Sequence, residues 1–81
     1  MQKTRYMLIS VCDREILTEI FDTKKEAQET MHEEMVKWGK VPEDIFRSEE
    51  YDDGGYGFDE WSAYVNDGLN HNDYDWLIVA I

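Results

Sequence analysis

One helical pattern near the middle of the chain limits the folds that the sequence can adopt. Thr23 followed by Glu26 matches a capping box, in which each side chain satisfies a free backbone amide of the first turn. Apolar residues then recur at three- and four-residue spacing and form one stripe, made of Ala27, Met31, Met35 and Trp38. Gly39 is expected to provide a left-handed cap, and Pro42 stops any continuation. The sequence therefore predicts one main helix over residues 24–38.

Extended segments lie on both sides of this helix. Their alternation and their β-branched residues predict four strands, over residues 5–12, 15–21, 56–65 and 74–81. Asp13-Arg14 is expected to turn the first two strands into a hairpin, and residues 66–73 form a predicted loop. The last strand is apolar on both faces, which is typical of a central strand or of a strand covered on both sides.

The order β-β-α-β-β predicts a single small α+β domain over residues 1–81, an antiparallel sheet with one main helix packed on one face. In the predicted strand 56–65, the side chains of Trp61, Ala63 and Val65 are expected to point inward. One helix covers only one face, although the first and last strands are apolar on both. The second face therefore needs a cover, either the segment 42–58 or a second copy of the protein.

Negative charge is concentrated in the second half of the chain. The formal net charge is −11, and residues 43–81 contain eleven carboxylates against one base, Arg47. The same residues hold eight of the eleven aromatic side chains. An acidic segment without aromatics is typical of a disordered tail, whereas acids interleaved with Tyr, Phe and Trp predict a folded anionic surface.

An anionic surface restricts the classes of partner. It repels nucleic acid and anionic lipid and attracts basic proteins, so we expect a basic protein partner and no direct binding of DNA or RNA. The apolar segments are too short to span a membrane, and Cys12 as the single cysteine excludes an intrachain disulfide. These features predict a soluble cytoplasmic protein without membrane partners.

The motifs that carry enzyme chemistry are incomplete in this chain. His32-Glu33 would begin a zinc-protease motif, but Val36 stands where the second histidine is needed. His32 is therefore interpreted as a solvated helix residue. Cys12 ends an apolar strand, where an inert buried thiol is expected. We predict a non-enzymatic protein with no catalytic residue and no cofactor.

The leading functional interpretation is an acidic interaction module that binds a basic protein. One form of it is a nucleic-acid mimic that inhibits a DNA- or RNA-handling protein, because ten carboxylates match the charge of about five base pairs. The predicted binding residues are Glu49, Glu50, Asp52, Asp53, Asp59 and Glu60. Surface acids that only keep a small protein soluble are the competing interpretation.

Two further surfaces provide alternative functions. The apolar second face of the sheet would make the protein a homo-oligomer, with a homodimer as the simplest form. The loop over 66–75 is rich in hard oxygen donors that suit Ca²⁺, and its candidate ligands are Asp67, Asn70, Asp73 and Asp75. Asn, Asp and Gly are also ordinary turn residues, so we predict no metal centre and keep this loop as the weaker candidate.

The C-terminal part of the chain carries a recognisable pattern. Residues 61–76 follow W-x-A-x-x-NDG-x-NH-x-x-YDW. This pattern resembles the C-terminal half of small uncharacterised acidic bacterial proteins. The resemblance implies that the loop is a selected feature, in which Asn66, Asp67 and Asn70 would bond loop amides above Trp61 and Trp76. It implies no activity and no functional residue.

Overall fold

A six-stranded antiparallel sheet with one main helix across it makes up the part of the chain that the computed structural model describes, residues 3–12, 14–67 and 72–81. The elements in chain order are β1 (Tyr6–Cys12), β2 (Glu15–Phe21), α1 (Lys24–Gly39), a 3₁₀ helix (Glu43–Arg47), β3 (Tyr51–Asp52), β4 (Tyr56–Phe58), β5 (Ser62–Asp67) and β6 (Asn72–Ala80). The strand order in the sheet is β2-β1-β6-β5-β4-β3. The predicted α+β class is confirmed.

The N-terminal hairpin has the predicted bounds to within one residue. β1 and β2 pair antiparallel, with Tyr6 opposite Phe21 and Cys12 opposite Glu15. Arg14 adopts a left-handed φ of 82° in the turn, and Asp13 lies outside the described residues. β6 pairs with β1 on one side and β5 on the other, so its apolar character on both faces belongs to a central strand.

The helix begins as predicted and ends differently. The Thr23 hydroxyl accepts a hydrogen bond from the Glu26 N–H at 3.1 Å. Gly39 is still helical, and Lys40 is the left-handed residue, with a φ of 57°. The prediction of Gly39 as the left-handed cap is therefore wrong. Gly39 lies against β5, where a Cβ atom would approach the Val65 Cγ2 atom to 2.8 Å. Close packing, and not backbone conformation, accounts for the glycine.

The core lies between α1 and one face of the sheet, which we call the inner face. The predicted stripe of α1 provides Ala27, Met31 and Met35, all fully buried, with Trp38 partly buried beside them. The inner face contributes buried side chains from four strands, namely Leu8, Phe58, Ala63, Val65, Trp76 and Ile78. The helix thus packs through the predicted residues.

The predicted strand over 56–65 is two strands, β4 and β5, with a turn between them. Asp59 causes the break, because its Oδ1 atom accepts hydrogen bonds from the N–H groups of Trp61 and Ser62, both at 2.8 Å. Ala63 and Val65 point inward as predicted. Trp61 lies in the turn with 38% of its surface exposed, so its prediction as an inward strand residue is wrong.

The segment 42–58 does not cover the second face of the sheet. Its 3₁₀ helix packs beside α1, with Phe46 stacked on His32 at 4.3 Å between ring centres. Ile45 is buried in the core. β3 and β4 extend the sheet at its edge. The face opposite α1, which we call the outer face, is left exposed on β2, where Ile16 and Ile20 are exposed.

No helix within the described residues is long and apolar enough to cross a membrane.

Candidate functional site

Four of the six predicted binding acids border one groove beside α1. The groove encloses about 890 Å³. The acids on it are Glu49, Glu50, Asp59 and Glu60, and α1 contributes Lys24, Lys25, Gln28 and His32, with Ser48, Phe58 and Trp61 completing the lining. We call this the acidic groove. The fold therefore brings together two acidic pairs that lie ten residues apart in the sequence.

Asp52 and Asp53 lie outside this groove, in the hairpin that joins β3 and β4. The Asp52 carboxylate accepts hydrogen bonds from the Tyr64 hydroxyl and from the Gly54 N–H at 3.0 Å. Asp53 accepts from the N–H groups of Tyr56 at 3.0 Å and Gly55 at 2.8 Å. These donors hold the pKa of both carboxyls below the usual value, chiefly through Tyr64 for Asp52 and the Tyr56 amide for Asp53. Both acids are charged and also shape the turn.

Asp59 and Glu60 also have structural partners. Besides the hydrogen bonds from the Trp61 and Ser62 amides, the Asp59 carboxylate accepts a hydrogen bond from the Ser62 hydroxyl at 3.2 Å. The Lys24 ammonium donates to the Glu60 carboxylate at 2.6 Å and lies 3.8 Å from the centre of the Trp61 ring. The Gln28 side-chain amide donates to the Glu60 backbone carbonyl at 2.9 Å. The contacts of Lys24 and Gln28 together attach the turn after β4 to the first two turns of α1.

Glu49 and Glu50 differ from the other four acids. Both are exposed, and no hydrogen bond or ion pair involves either side chain within residues 3–12, 14–67 and 72–81. Neither carboxylate is therefore in an ion pair within the described part of the chain, although Lys25 lines the same groove. The structural roles of the other four acids were missed by sequence reasoning. Three of these acids, Asp52, Asp53 and Asp59, follow a pattern that the sequence shows: each is an aspartate whose side chain bonds a backbone amide two or three residues later.

His32 occupies an aromatic cluster and not the solvated position expected for it. Its ring lies 4.3 Å from Phe46 and 4.9 Å from Phe58, measured between ring centres. Burial holds the pKa of His32 below its usual value, while the charge of Glu29 acts in the opposite direction. The imidazole is thus mainly neutral at neutral pH.

A buried polar contact that the sequence did not reveal joins the helix to the sheet. The Glu34 Oε1 atom accepts from the Ser10 hydroxyl at 2.8 Å and from the Trp76 indole N–H at 2.9 Å. Ser10 and Trp76 are both buried. Because the partners lie 24 and 42 residues away along the chain, no local pattern could have found this contact.

The candidate metal loop lies mostly outside the described residues, and Cys12 at the end of β1 is partly buried and not fully buried as predicted. No group of three or more His, Cys, Asp or Glu side chains that could hold a metal ion occurs there. Of the candidate calcium loop, Asn70 lies outside the described residues, as do the side chains of Asp67 and Asp73. Asp75 is exposed on β6. The calcium hypothesis therefore stays a prediction.

The chain matches no protein-family model, no curated protein and no solved structure. The resemblance of residues 61–76 to small acidic bacterial proteins stays a prediction. Function must therefore be inferred from the geometry of the molecule.

Proposed function

We propose that the protein is an acidic interaction module that binds a basic segment of a partner protein in the acidic groove. One observation carries this proposal. The groove already holds one ammonium group of the chain itself, that of Lys24, between the Glu60 carboxylate and the face of Trp61. A carboxylate together with an aromatic face is the chemistry that binds lysine and arginine side chains.

The unpaired acids of the groove provide the attraction for a further cation. Glu49 and Glu50 are exposed and face the same groove as Asp59. The net charge of −11 extends this local attraction over the whole molecule. Such a field steers basic partners toward the protein and raises the rate of association.

Hydrogen bonds within a turn favour binding, because they hold a carboxylate of the groove in place before a partner binds. The carboxylate of Asp59, which borders the groove, is held by the amides of its own turn. A partner that binds to fixed carboxylates does not have to order them, so less conformational entropy is lost on association.

A DNA- or RNA-handling protein is one class of basic partner for this groove. Of the six proposed binding acids, Asp52 alone lies in a strand, and Asp53, Asp59 and Glu60 lie in turns. The acids of this surface therefore do not follow one another at alternate positions of a strand, and the mimic rests on their number and charge alone. We keep the nucleic-acid mimic as the narrower form of the proposal. If duplex DNA and the protein compete for the same site on one basic partner, the mimic is favoured over a general binder of basic segments.

Titration with a basic peptide tests the proposal. We expect a peptide of lysine, arginine and glycine to bind, to change Trp61 fluorescence, and to lose at least about tenfold in affinity between about 50 mM and about 500 mM salt. The double variant Glu49→Gln/Glu50→Gln should weaken binding strongly. The matched control is Glu15→Gln/Glu19→Gln on β2, which removes the same charge from residues that do not line the groove. Equal losses from both variants would show that net charge alone attracts the peptide and would refute a groove site.

A further inference from the structure

The outer face of the sheet carries an apolar patch across three adjacent strands. Pairing places Met7 between Ile20 and Val79, and Ile9 between Thr18 and Leu77. The apolar members of this outer patch are Met7, Ile9, Val11, Ile16, Ile20, Leu77 and Val79. Three of these side chains are well exposed, with 68% of the surface exposed for Ile16, 55% for Ile20 and 47% for Leu77, and the other four are partly buried.

The centre of the outer patch carries no charged side chain, although the chain is strongly acidic and Asp75 lies opposite Val11 at one end of the patch. On β2 the glutamates alternate with the isoleucines, so Glu15 and Glu19 lie on the inner side of the sheet. An ion pair between Arg5 and Asp22 lies beyond one end of the patch, and Asp75 lies at the other. A basic partner would find no carboxylate at the centre of this surface.

From these observations we infer that the outer patch is the interface of a homodimer. A second copy presents the same uncharged centre, so two chains of net charge −11 meet without bringing carboxylates together there. The other cover considered for this face, the segment 42–58, lies beside α1 or at the sheet edge.

The apolar centre of the patch is smaller than a standard dimer interface, so a dimer through this face also needs the polar rim of the patch. Strand spacing and residue rise give an apolar centre of roughly 15 Å by 20 Å. A standard interface buries about 800 Å² on each partner and has an apolar centre inside a polar rim. Around the patch, Thr18, Tyr64 and the exposed Ile81 are placed to form that rim. We therefore expect a reversible dimer, with two sheets stacked face to face about 10 Å apart.

Pairing through the free edge of β2 is disfavoured by the same glutamates. Joining two β2 edges would bring Glu15 and Glu19 of one copy close to those of the other. The face-to-face mode avoids this repulsion, because these side chains lie on the inner side.

Sedimentation equilibrium over about 1 μM to about 1 mM tests the inference. We expect the mass to rise from 9.7 kDa toward twice that value as concentration increases. Ile16→Glu and Ile20→Glu should each raise the dissociation constant of the dimer by at least about tenfold, because each puts a charge into the desolvated centre. Leu17→Glu is the matched control: Leu17 is 49% exposed on the same strand but lies on the opposite face, so the constant should stay within about twofold.

Three outcomes would overturn the inference. They are a monomer at every concentration, a dimer that survives both isoleucine variants, and an equal effect of Leu17→Glu, which would indicate edge pairing. Circular dichroism of each variant confirms that it is folded. The basic-peptide titration on Ile20→Glu separates the two proposals, since the acidic groove lies elsewhere and peptide binding should be unchanged.

Discussion

At the scale of single residues, local and distant contacts differ in how far the sequence reveals them. The Thr23 cap was predictable because its partner, the Glu26 amide, lies three residues away. The role of Gly39 was not, because it depends on Val65, which is brought close by the fold. The left-handed residue moved to Lys40, whose N–H is still satisfied by the Met35 carbonyl.

Replacing Gly39 by alanine tests this packing role. The new Cβ atom would lie 2.8 Å from Val65 Cγ2 and 3.2 Å from Cγ1, inside the core. Overpacking costs about 1–3 kcal/mol, whereas the helix propensity of alanine returns at most about 1 kcal/mol. We expect a net loss of roughly 1 kcal/mol in the free energy of unfolding, measured by urea denaturation.

The neighbouring residue provides the control for this substitution. Lys40→Gly removes a side chain from a left-handed position, so we expect unchanged or slightly higher stability, by up to about 1 kcal/mol. If Gly39→Ala were as stable as the parent protein, Val65 would have room to move and the packing account would be wrong.

At the scale of elements, periodicity revealed the long segments and missed the short ones. α1, β1, β2 and β6 each repeat a pattern several times, which is why their bounds agreed with prediction to within two residues, although residues 66–67 and 72–73 of the predicted loop are strand. β3 has two residues and β4 has three, too few for a period to be read. The break between β4 and β5 depends on one side chain, Asp59, capping its own turn.

The attachment of α1 to the sheet depends on Glu34 as well as on apolar packing. Glu34→Ala would leave the buried Ser10 hydroxyl and the Trp76 N–H without their acceptor. We expect a loss of about 2–4 kcal/mol in the free energy of unfolding, measured in urea with Trp fluorescence. Glu34→Gln keeps a carbonyl oxygen that accepts from both donors, so its loss should be about 1 kcal/mol or less.

The adjacent glutamate gives a matched comparison on the same helix. Glu33 is exposed, and Glu33→Ala should change stability by no more than about 0.5 kcal/mol. Similar losses for Glu33→Ala and Glu34→Ala would mean that the contacts of Glu34 with Ser10 and Trp76 contribute nothing beyond helix propensity.

At the scale of the whole molecule, the two proposed surfaces are chemically opposite. The acidic groove lies beside α1 and combines carboxylates with Trp61, while the outer patch is apolar and uncharged at its centre. A face-to-face dimer would leave both grooves exposed, so a partner with two basic segments would gain affinity through avidity. Sequence reasoning found the acids of the groove because charge is visible in composition. The sequence did not show that the pairs 49–50 and 59–60 lie on the same groove. Their proximity depends on the turns and the strand pairing of β3, β4 and β5.

The pH dependence of stability is a property of the whole molecule that one residue should dominate near neutrality. Burial lowers the pKa of His32 below its ordinary value of 6.5, and in the unfolded chain that value is restored. Protonation therefore favours the unfolded chain, so the free energy of unfolding should fall as the pH drops below about 6.5 toward the lower pKa of the folded state. Asp52 and Asp53 also have lowered pKa values, but their contribution is lost only below about 3.8, outside this range.

Thermal unfolding between about pH 7.5 and about pH 5 measures this dependence. His32→Phe keeps an aromatic ring against Phe46 and Phe58 and removes the proton, so its Tm should fall less with decreasing pH than that of the parent protein. His71→Gln removes the second of the two histidines in the chain and measures the part of the slope that His32 does not account for. If His32→Phe retained the full slope, groups other than the imidazole would control stability in this range. The cluster that holds the 3₁₀ helix against α1 would then be insensitive to the charge of His32.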